Sequence, residues 1–242
     1  GVPIAPMRIG ETIAWITAWI RSHSQKTVFT INPEIVMLAK TNDSFARILQ
    51  GSDLNIADGT GIVLAARLAR EQVPERVPGI DLVDHLCCVG NSLGWTIYLL
   101  GARPGVAQRA GQELKKEYPG LQIVGWSAAS SEETEDTNIV PVINSLEPDL
   151  LLVAFGAPAQ EQWIARNIKK LNIGVAIGVG GSFDFIAGEV SRAPQIVRNM
   201  GLEWLYRLLV QPWRWRRMLT LPAFALAAGR WTLDNWRNRK QD

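Results

Sequence analysis

The run Leu150-Leu151-Leu152-Val153-Ala154-Phe155 is apolar at every position, with none of the alternation of a strand that shows one face to water. Such a strand has to be covered on both faces, which is the situation of a central strand in a parallel sheet flanked by helices. Gly156-Ala157-Pro158 follows at once and leads into a helical pattern, so the chain turns out of the strand and returns over the sheet. The same order recurs along most of the sequence. Strands are predicted at 27–31, 54–56, 95–100, 122–125, 150–155 and 174–178. Helices are predicted at 9–22, 33–50, 60–69, 79–89, 104–118, 136–145 and 159–171, with a polar, acidic loop at 127–136. This alternation implies an α/β fold: a Rossmann-like, mostly parallel sheet flanked by helices, with right-handed crossovers. No internal repeat or low-complexity tract interrupts it.

The character of the chain changes near Arg192. From there to Asp242 stand ten Lys/Arg and three Asp/Glu, a net of +7, while the other 191 residues carry −5. Five of the ten tryptophans (Trp204, Trp213, Trp215, Trp231 and Trp236) lie in the same stretch. We therefore divide the 242 residues into a catalytic domain, 1–191, and a basic, Trp-rich helical appendage, 192–242. The appendage reads as two or three helices with breaks at Pro212 and Pro222. Basic residues interleaved with tryptophan suit an anionic lipid surface better than a freely solvated face. The longest apolar stretch, 218–229, contains Pro222 and is far shorter than the ~20 residues of a spanning helix, so peripheral membrane contact is expected. The opening Gly1-Val2-Pro3-Ile4 lacks the basic and apolar regions of a signal peptide. Cys87 and Cys88 are adjacent and have no other cysteine to pair with, which suits a reducing cytosol. His23 and His85 stand in neither CxxC nor HExxH spacing, so no catalytic zinc site is expected.

Ligands of parallel α/β sheets bind beyond the carboxyl ends of the strands. Four groups of residues are candidates there. In Thr30-Ile31-Asn32-Pro33-Glu34 a strand runs into a helix with proline at its favoured first position; Asn32 either caps that helix or faces a ligand. In Ala57-Asp58-Gly59-Thr60-Gly61, Asp58 is either a helix cap or a general base beside a glycine turn that lets a ligand approach the backbone. Leu100-Gly101-Ala102-Arg103-Pro104-Gly105 has the form of a phosphate cradle. Gly156-Ala157-Pro158-Ala159-Gln160 and Gly180-Gly181-Ser182-Phe183-Asp184 complete the set, with Asp184 placed to accept from a ribose or a base. Neither GxGxxG nor GxxxxGK[ST] occurs, which disfavours a dinucleotide-dependent dehydrogenase and an NTPase. Asp-x-Asp is also absent, so no metal is expected on a diphosphate; backbone amides and arginines such as Arg76 would have to hold it.

Five segments occur in the order seen in the WecG/TagA/CpsF glycosyltransferase family, and the chain resembles that family from about Ile4 to Arg217. They are Thr30–Glu34, Ala57–Gly61, Arg76-Val77-Pro78-Gly79-Ile80-Asp81, Gly156–Glu161 and Gly180–Asp184. The segment Gly201-Leu202-Glu203-Trp204-Leu205-Tyr206-Arg207-Leu208 is similar as well. The resemblance implies an inverting transferase that moves N-acetylmannosamine, its uronic acid or glucose from a UDP-sugar. The acceptor would be a polyprenyl-diphosphate-linked sugar of a cell-wall or surface polysaccharide, such as teichoic acid or exopolysaccharide. It implies Asp58 as catalytic base, with Thr30, Asn32, Arg76 and Gln160 as further active-site residues. Gly59, Gly101, Gly156, Gly181, Ser182 and Asp184 are assigned to the donor, and Arg207, Arg214 and Arg217 to the acceptor diphosphate and the membrane. Where the family carries a Lys, this chain has Ala159. No cofactor and no nucleic acid enter this reading, a homo-oligomer is compatible with it, and the expected location is the inner face of the cell membrane. The competing reading is a non-catalytic nucleotide-binding module at the membrane surface, which would not need Asp58, Thr30 and Gln160 together.

Overall fold

The computed structural model describes residues 1–212 and 215–238. It begins with helix α1 (Ile9–Arg21), strand β1 (Lys26–Ile31), helices α2 (Pro33–Thr41) and α3 (Asp43–Gln50), and strand β2 (Leu54–Ala57). Next come α4 (Thr60–Leu68), α5 (Gly79–Leu93), β3 (Thr96–Gly101), α6 (Val106–Glu117), β4 (Gln122–Ser127) and α7 (Glu133–Leu146). Then follow β5 (Leu150–Ala154), α8 (Ala159–Asn167), β6 (Val175–Gly178) and α9 (Ser182–Ile186). The last helices are α10 (Gln195–Asn199), α11 (Glu203–Val210), α12 (Trp215–Met218) and α13 (Thr220–Asn238).

Among the described residues the strands form one sheet, ordered β2-β1-β6-β5-β3-β4, in which every neighbouring pair is parallel. Successive residues of each strand enter opposite cores. Leu150, Leu152, Val175, Ile177 and Val28 face the layer that includes Leu82, Leu86 and Phe183. Leu151, Val153, Ala176, Phe29 and Ile31 face the layer that includes Ile35, Phe45 and Trp163. The apolar run at 150–155 is thus buried on both sides, as its composition requires. The helix after β1 packs on one face, through Ile35, and the helix after β6 packs on the other, through Phe183. Since β1 and β6 are neighbours, their connections part and open a crevice at the carboxyl edge of the sheet.

Three sequence expectations are corrected. The helix expected over 33–50 is two helices. Asn42 leaves the helical conformation, and its Oδ1 accepts from the Phe45 amide at 3.0 Å, so α3 is capped afresh. The loop expected at 127–136 is cut short, because α7 already starts at Glu133; Glu133, Glu135 and Asp136 in its first turn complement the helix dipole. Pro222 does not break the tail. It lies in the first turn of α13, where an amide N–H has no partner within the helix and its absence costs nothing.

The tail is seated on the sheet domain by α13. Phe224 is buried with Ile62, Val63 and Ala66 of α4, and Ala228 packs at the edge of that cluster. Gly61 lies between Pro33 and Phe224: a Cβ there would be tight against Pro33 Cγ at 3.1 Å and in ordinary contact with Phe224 Cε1 at 3.5 Å. Among the described residues no helix is long and apolar enough to cross a membrane.

Phe224→Ala should loosen α13 while leaving the sheet intact, because the lost burial, about 2–3 kcal/mol, falls on a peripheral cluster. Hydrogen exchange should accelerate over residues 220–238 and stay slow in β5. Equal protection of α13 in the variant would show that Phe224 is not its anchor.

Candidate active site

The crevice is the floor of a cavity of about 750 Å³, within the range of small-molecule sites. The carboxyl ends of β1, β2, β5 and β6 form its base, and α11, α12 and α13 form its roof. It brings together Thr30, Asn32, Asp58, Gly59, Arg76, Gly156, Gln160, Gly181, Ser182, Asp184, Arg207 and Arg217 from distant parts of the chain. Gly101 is not part of its lining; it lies against Ala154 and Phe155, and a Cβ on it would come within 3.0 Å of the Ala154 carbonyl carbon. Arg214 lies outside the described residues.

Asp58 is held by the sheet. Its amide donates to the Ile31 carbonyl at 2.7 Å, continuing the β1–β2 pairing one residue beyond β2. Its Oδ2 accepts from the Gly79 amide at 3.3 Å. Gly79 opens α5, so that amide has no partner within its helix. Burial under the roof pushes the Asp58 carboxyl up to about 6, although the Gly79 amide and the Arg76 charge pull it down. Glu203 pushes in the same direction as burial, and Arg207 opposes it. The result is a carboxylate that is ionised at neutral pH and unusually avid for a proton, which are the properties of a general base.

Gln160 frames the neighbouring loops. Its Oε1 accepts from the Gly156 amide at 3.2 Å and the Gly180 amide at 2.9 Å. Its Nε2 donates to Glu161 Oε1 at 2.8 Å. Glu161 is fully buried, and burial pushes its carboxyl up to about 7 despite the Gln160 hydrogen bond. The Gln160 side chain also fills the space that a Cβ on Gly178 would need, with Nε2 at 2.9 Å. Thr30 Oγ1 donates to the Gly178 carbonyl at 3.0 Å, which fastens β1 to β6. Asn32 Oδ1 accepts from the Ile35 amide at 3.0 Å as the cap of α2, so the capping alternative holds whatever else Asn32 touches. Ser182 Oγ donates to the Val179 carbonyl at 2.7 Å and starts α9. Asp184 Oδ1 accepts from Arg103 at 3.3 Å.

The roof supplies the cations. Arg76 pairs with Glu203 of α11 at 3.1 Å, and Glu203 lies 3.8 Å from Arg192, which in turn meets Asp81 of α5 at 2.6 Å. Arg217 grips Glu34 with two hydrogen bonds of 2.7 Å. Arg207 lies over the Phe185 ring with its guanidinium carbon 4.7 Å from the ring centre. Burial holds Arg207 below the ordinary arginine range, with the neighbouring carboxylates, Glu203 first and then Asp58, opposing. Among the described residues its buried Nε has no hydrogen-bond partner. A desolvated guanidinium with open hydrogen-bonding capacity, beside a cavity, is a ready anion site.

Glu203, Glu34 and Phe185 escaped the sequence reading as site residues. Glu203 carried a signal: an isolated acid inside a stretch of net +7 has to answer some of those cations. Glu34 and Phe185 carried none, because their partners arrive only when the tail folds back.

A family model described as the glycosyl transferase WecG/TagA/CpsF family matches residues 1–238. Three similar proteins share the name N-acetylglucosaminyldiphosphoundecaprenol N-acetyl-beta-D-mannosaminyltransferase. The one from Bacillus subtilis strain 168 is 36% identical over 199 residues, covering 82% of this chain and 77% of the relative. The one from Bacillus spizizenii is 32% identical over 211 residues, covering 87% and 81%. The one from Staphylococcus aureus strain NCTC 8325 is 33% identical over 197 residues, covering 81% and 77%.

The raised affinity of Asp58 for a proton means that its charge opposes folding. The unfolded carboxyl ionises near 3.8 and the folded one near 6, so stability falls as pH rises through that window and stays lower above it. Asp58→Asn should therefore stabilise the fold at pH 8 by about 1–3 kcal/mol, and the gain should vanish below about pH 4. Denaturant melts at the two pH values check this. A variant no more stable than the native chain at pH 8 would show that Asp58 is solvated.

Proposed function

The chain belongs to the WecG/TagA/CpsF family of glycosyltransferases, and on that premise we propose that it transfers N-acetylmannosamine from a UDP-sugar to a polyprenyl-diphosphate-linked sugar, with inversion and without a metal. The donor and acceptor follow the relatives, whose names specify an N-acetylmannosaminyl group and an N-acetylglucosaminyldiphosphoundecaprenol acceptor. The observation that carries the mechanism is the position of Asp58, a proton-avid carboxylate on the floor of the cavity beneath arginines.

In this reading Asp58 takes the proton of the acceptor hydroxyl. The freed oxygen forms a bond to the anomeric carbon from the face opposite UDP, while the bond from that carbon to the UDP oxygen breaks. One displacement inverts the anomeric centre and needs no enzyme nucleophile. Negative charge gathers on the leaving diphosphate, and Arg76 with the amides of the Gly156 and Gly181 loops offsets it. Asp184 contacts the ribose or the base. Gln160 and Thr30 act as positioning residues, since they hold the loops that carry those amides. Arg207 and Arg217 receive the acceptor diphosphate, and the latter exchanges Glu34 for it. The absence of Asp-x-Asp supports the metal-free reading, as does the supply of arginine at the site.

Residues 192–242 serve as the membrane-facing appendage in this proposal. Leu209, Trp215, Leu226 and Trp231 on the helices, and Leu219 in the turn between α12 and α13, are exposed in a stretch that carries +7. Apolar and indole side chains among basic ones suit shallow, reversible seating at the headgroups of an anionic bilayer on the cytosolic side. There the site meets its lipid-borne acceptor, and closure of the roof keeps water from the donor.

Asp58→Asn should bind UDP as before and lower turnover by ~10²–10⁴-fold. In the native enzyme kcat/KM should rise with pH up to about 6 and then level, tracking ionisation of Asp58. Native-like turnover in the variant would remove Asp58 from the base role. Activity should survive excess EDTA, and NMR of the product should show an anomeric configuration opposite to that of the donor. Loss of activity on chelation, restored by Mg²⁺ or Mn²⁺, would overturn the metal-free mechanism, and retention would overturn the single displacement.

A further inference from the structure

The cavity does not end at the charged residues. Its lining also includes Met218 of α12, Leu221, Ala225, Ala228 and Gly229 of α13, and Leu64 and Leu68 of the adjacent α4. Leu64 and Leu68 are one helical turn apart and remain 56% and 55% exposed, although Phe224 beside them is buried. On the α13 side, small residues leave room: a Cβ on Gly229 meets nothing within 4 Å. From Leu221 to Gly229 the wall runs roughly 12 Å at the rise of an α-helix. The extension is thus an apolar trough, open to solvent and continuous with a site that holds Arg207 and Arg217.

We propose that this trough between α4 and α13 binds the first isoprene units of the lipid-linked acceptor, while Arg207 and Arg217 hold its diphosphate. The assignment rests on the acceptor class proposed above. Its own support is the mixed chemistry of one cavity, whose lining includes both arginines and two exposed leucines with small residues of the adjacent helix. That combination matches an amphiphile whose charged head joins directly to a hydrocarbon chain. A flat bilayer surface would be met by a convex apolar face, whereas Leu64 and Leu68 line a concave one. The trough gives the enzyme a way to recognise the carrier as well as the sugar.

The test compares dimethylallyl diphosphate with farnesyl diphosphate, which share a headgroup and differ in chain length. Binding to the full chain is measured by calorimetry below the concentration at which the lipids aggregate, without membrane or detergent. The native protein should bind the farnesyl compound at least about tenfold more tightly, since each buried methylene contributes severalfold. Gly229→Trp should fill the trough and erase that preference. Leu64→Asn/Leu68→Asn, at two exposed positions, should shrink it, with melting temperatures confirming that both variants fold. Equal binding of the two compounds by the native protein would overturn the proposal and leave the leucines as bilayer contacts. A preference unchanged in both variants would place the chain elsewhere and overturn it equally. Because binding is read without turnover, these outcomes are separate from the failure of sugar transfer, which would sink the proposed reaction instead.

Discussion

The Gln160 side-chain amide holds the site open. With one oxygen it accepts from the amides of Gly156 and Gly180, which follow adjacent strands of the sheet. Those strands are apolar on both faces, so their backbone groups are spent on each other and their side chains on the two cores. Helices α8 and α9 then leave toward opposite faces, and the loops between strand and helix would be free to splay. A buried amide between them fixes their separation, and Glu161 behind it fixes the amide. Replacing this oxygen by an apolar group would leave two part-buried N–H groups without it, so the loops and Gln160 form one unit.

Much of the fold was legible because it follows from burial. The unbroken apolar run at 150–155 announced a central parallel strand, and Asn32-Pro33 announced the start of α2. Asp58 was legible as a residue at a strand end beside a glycine turn. What sequence could not show was which groups would meet. Asn42 divides a helix because its side chain competes with the backbone, and a strong helical pattern on both sides hid that competition. Gly101 has the form of a phosphate cradle but turns toward Ala154 and Phe155, since its loop leaves from β3 and not from a strand bordering the crevice. Pairs such as Arg217 with Glu34, or Arg76 with Glu203, join segments far apart in sequence, and spacing carries no trace of them.

These pairs also change the meaning of a basic tail. The excess positive charge was expected at anionic lipid, with Arg207, Arg214 and Arg217 also assigned to the acceptor diphosphate. In the folded chain Arg192 and Arg207 turn inward and, like the exposed Arg217, meet carboxylates or an aromatic ring. Burying such groups is costly unless each is matched, and Arg207 is matched only in part. The open Nε of Arg207 is where the proposed diphosphate would complete the pairing. The segment therefore combines exposed tryptophans and leucines with arginines that line the cavity, while Arg216 and Arg230 stay exposed.

The roof over Asp58 has a consequence for timing. Burial raises the proton affinity of the Asp58 carboxyl, and Glu203 of α11, which lines the same cavity, pushes the same way. If the roof lifted, water would return and Asp58 would revert to an ordinary weak base. In the proposed reaction the strength of the base would therefore be set by α11, a segment remote in sequence from Asp58. A nucleotide sugar bound with the roof raised would then face a weaker base.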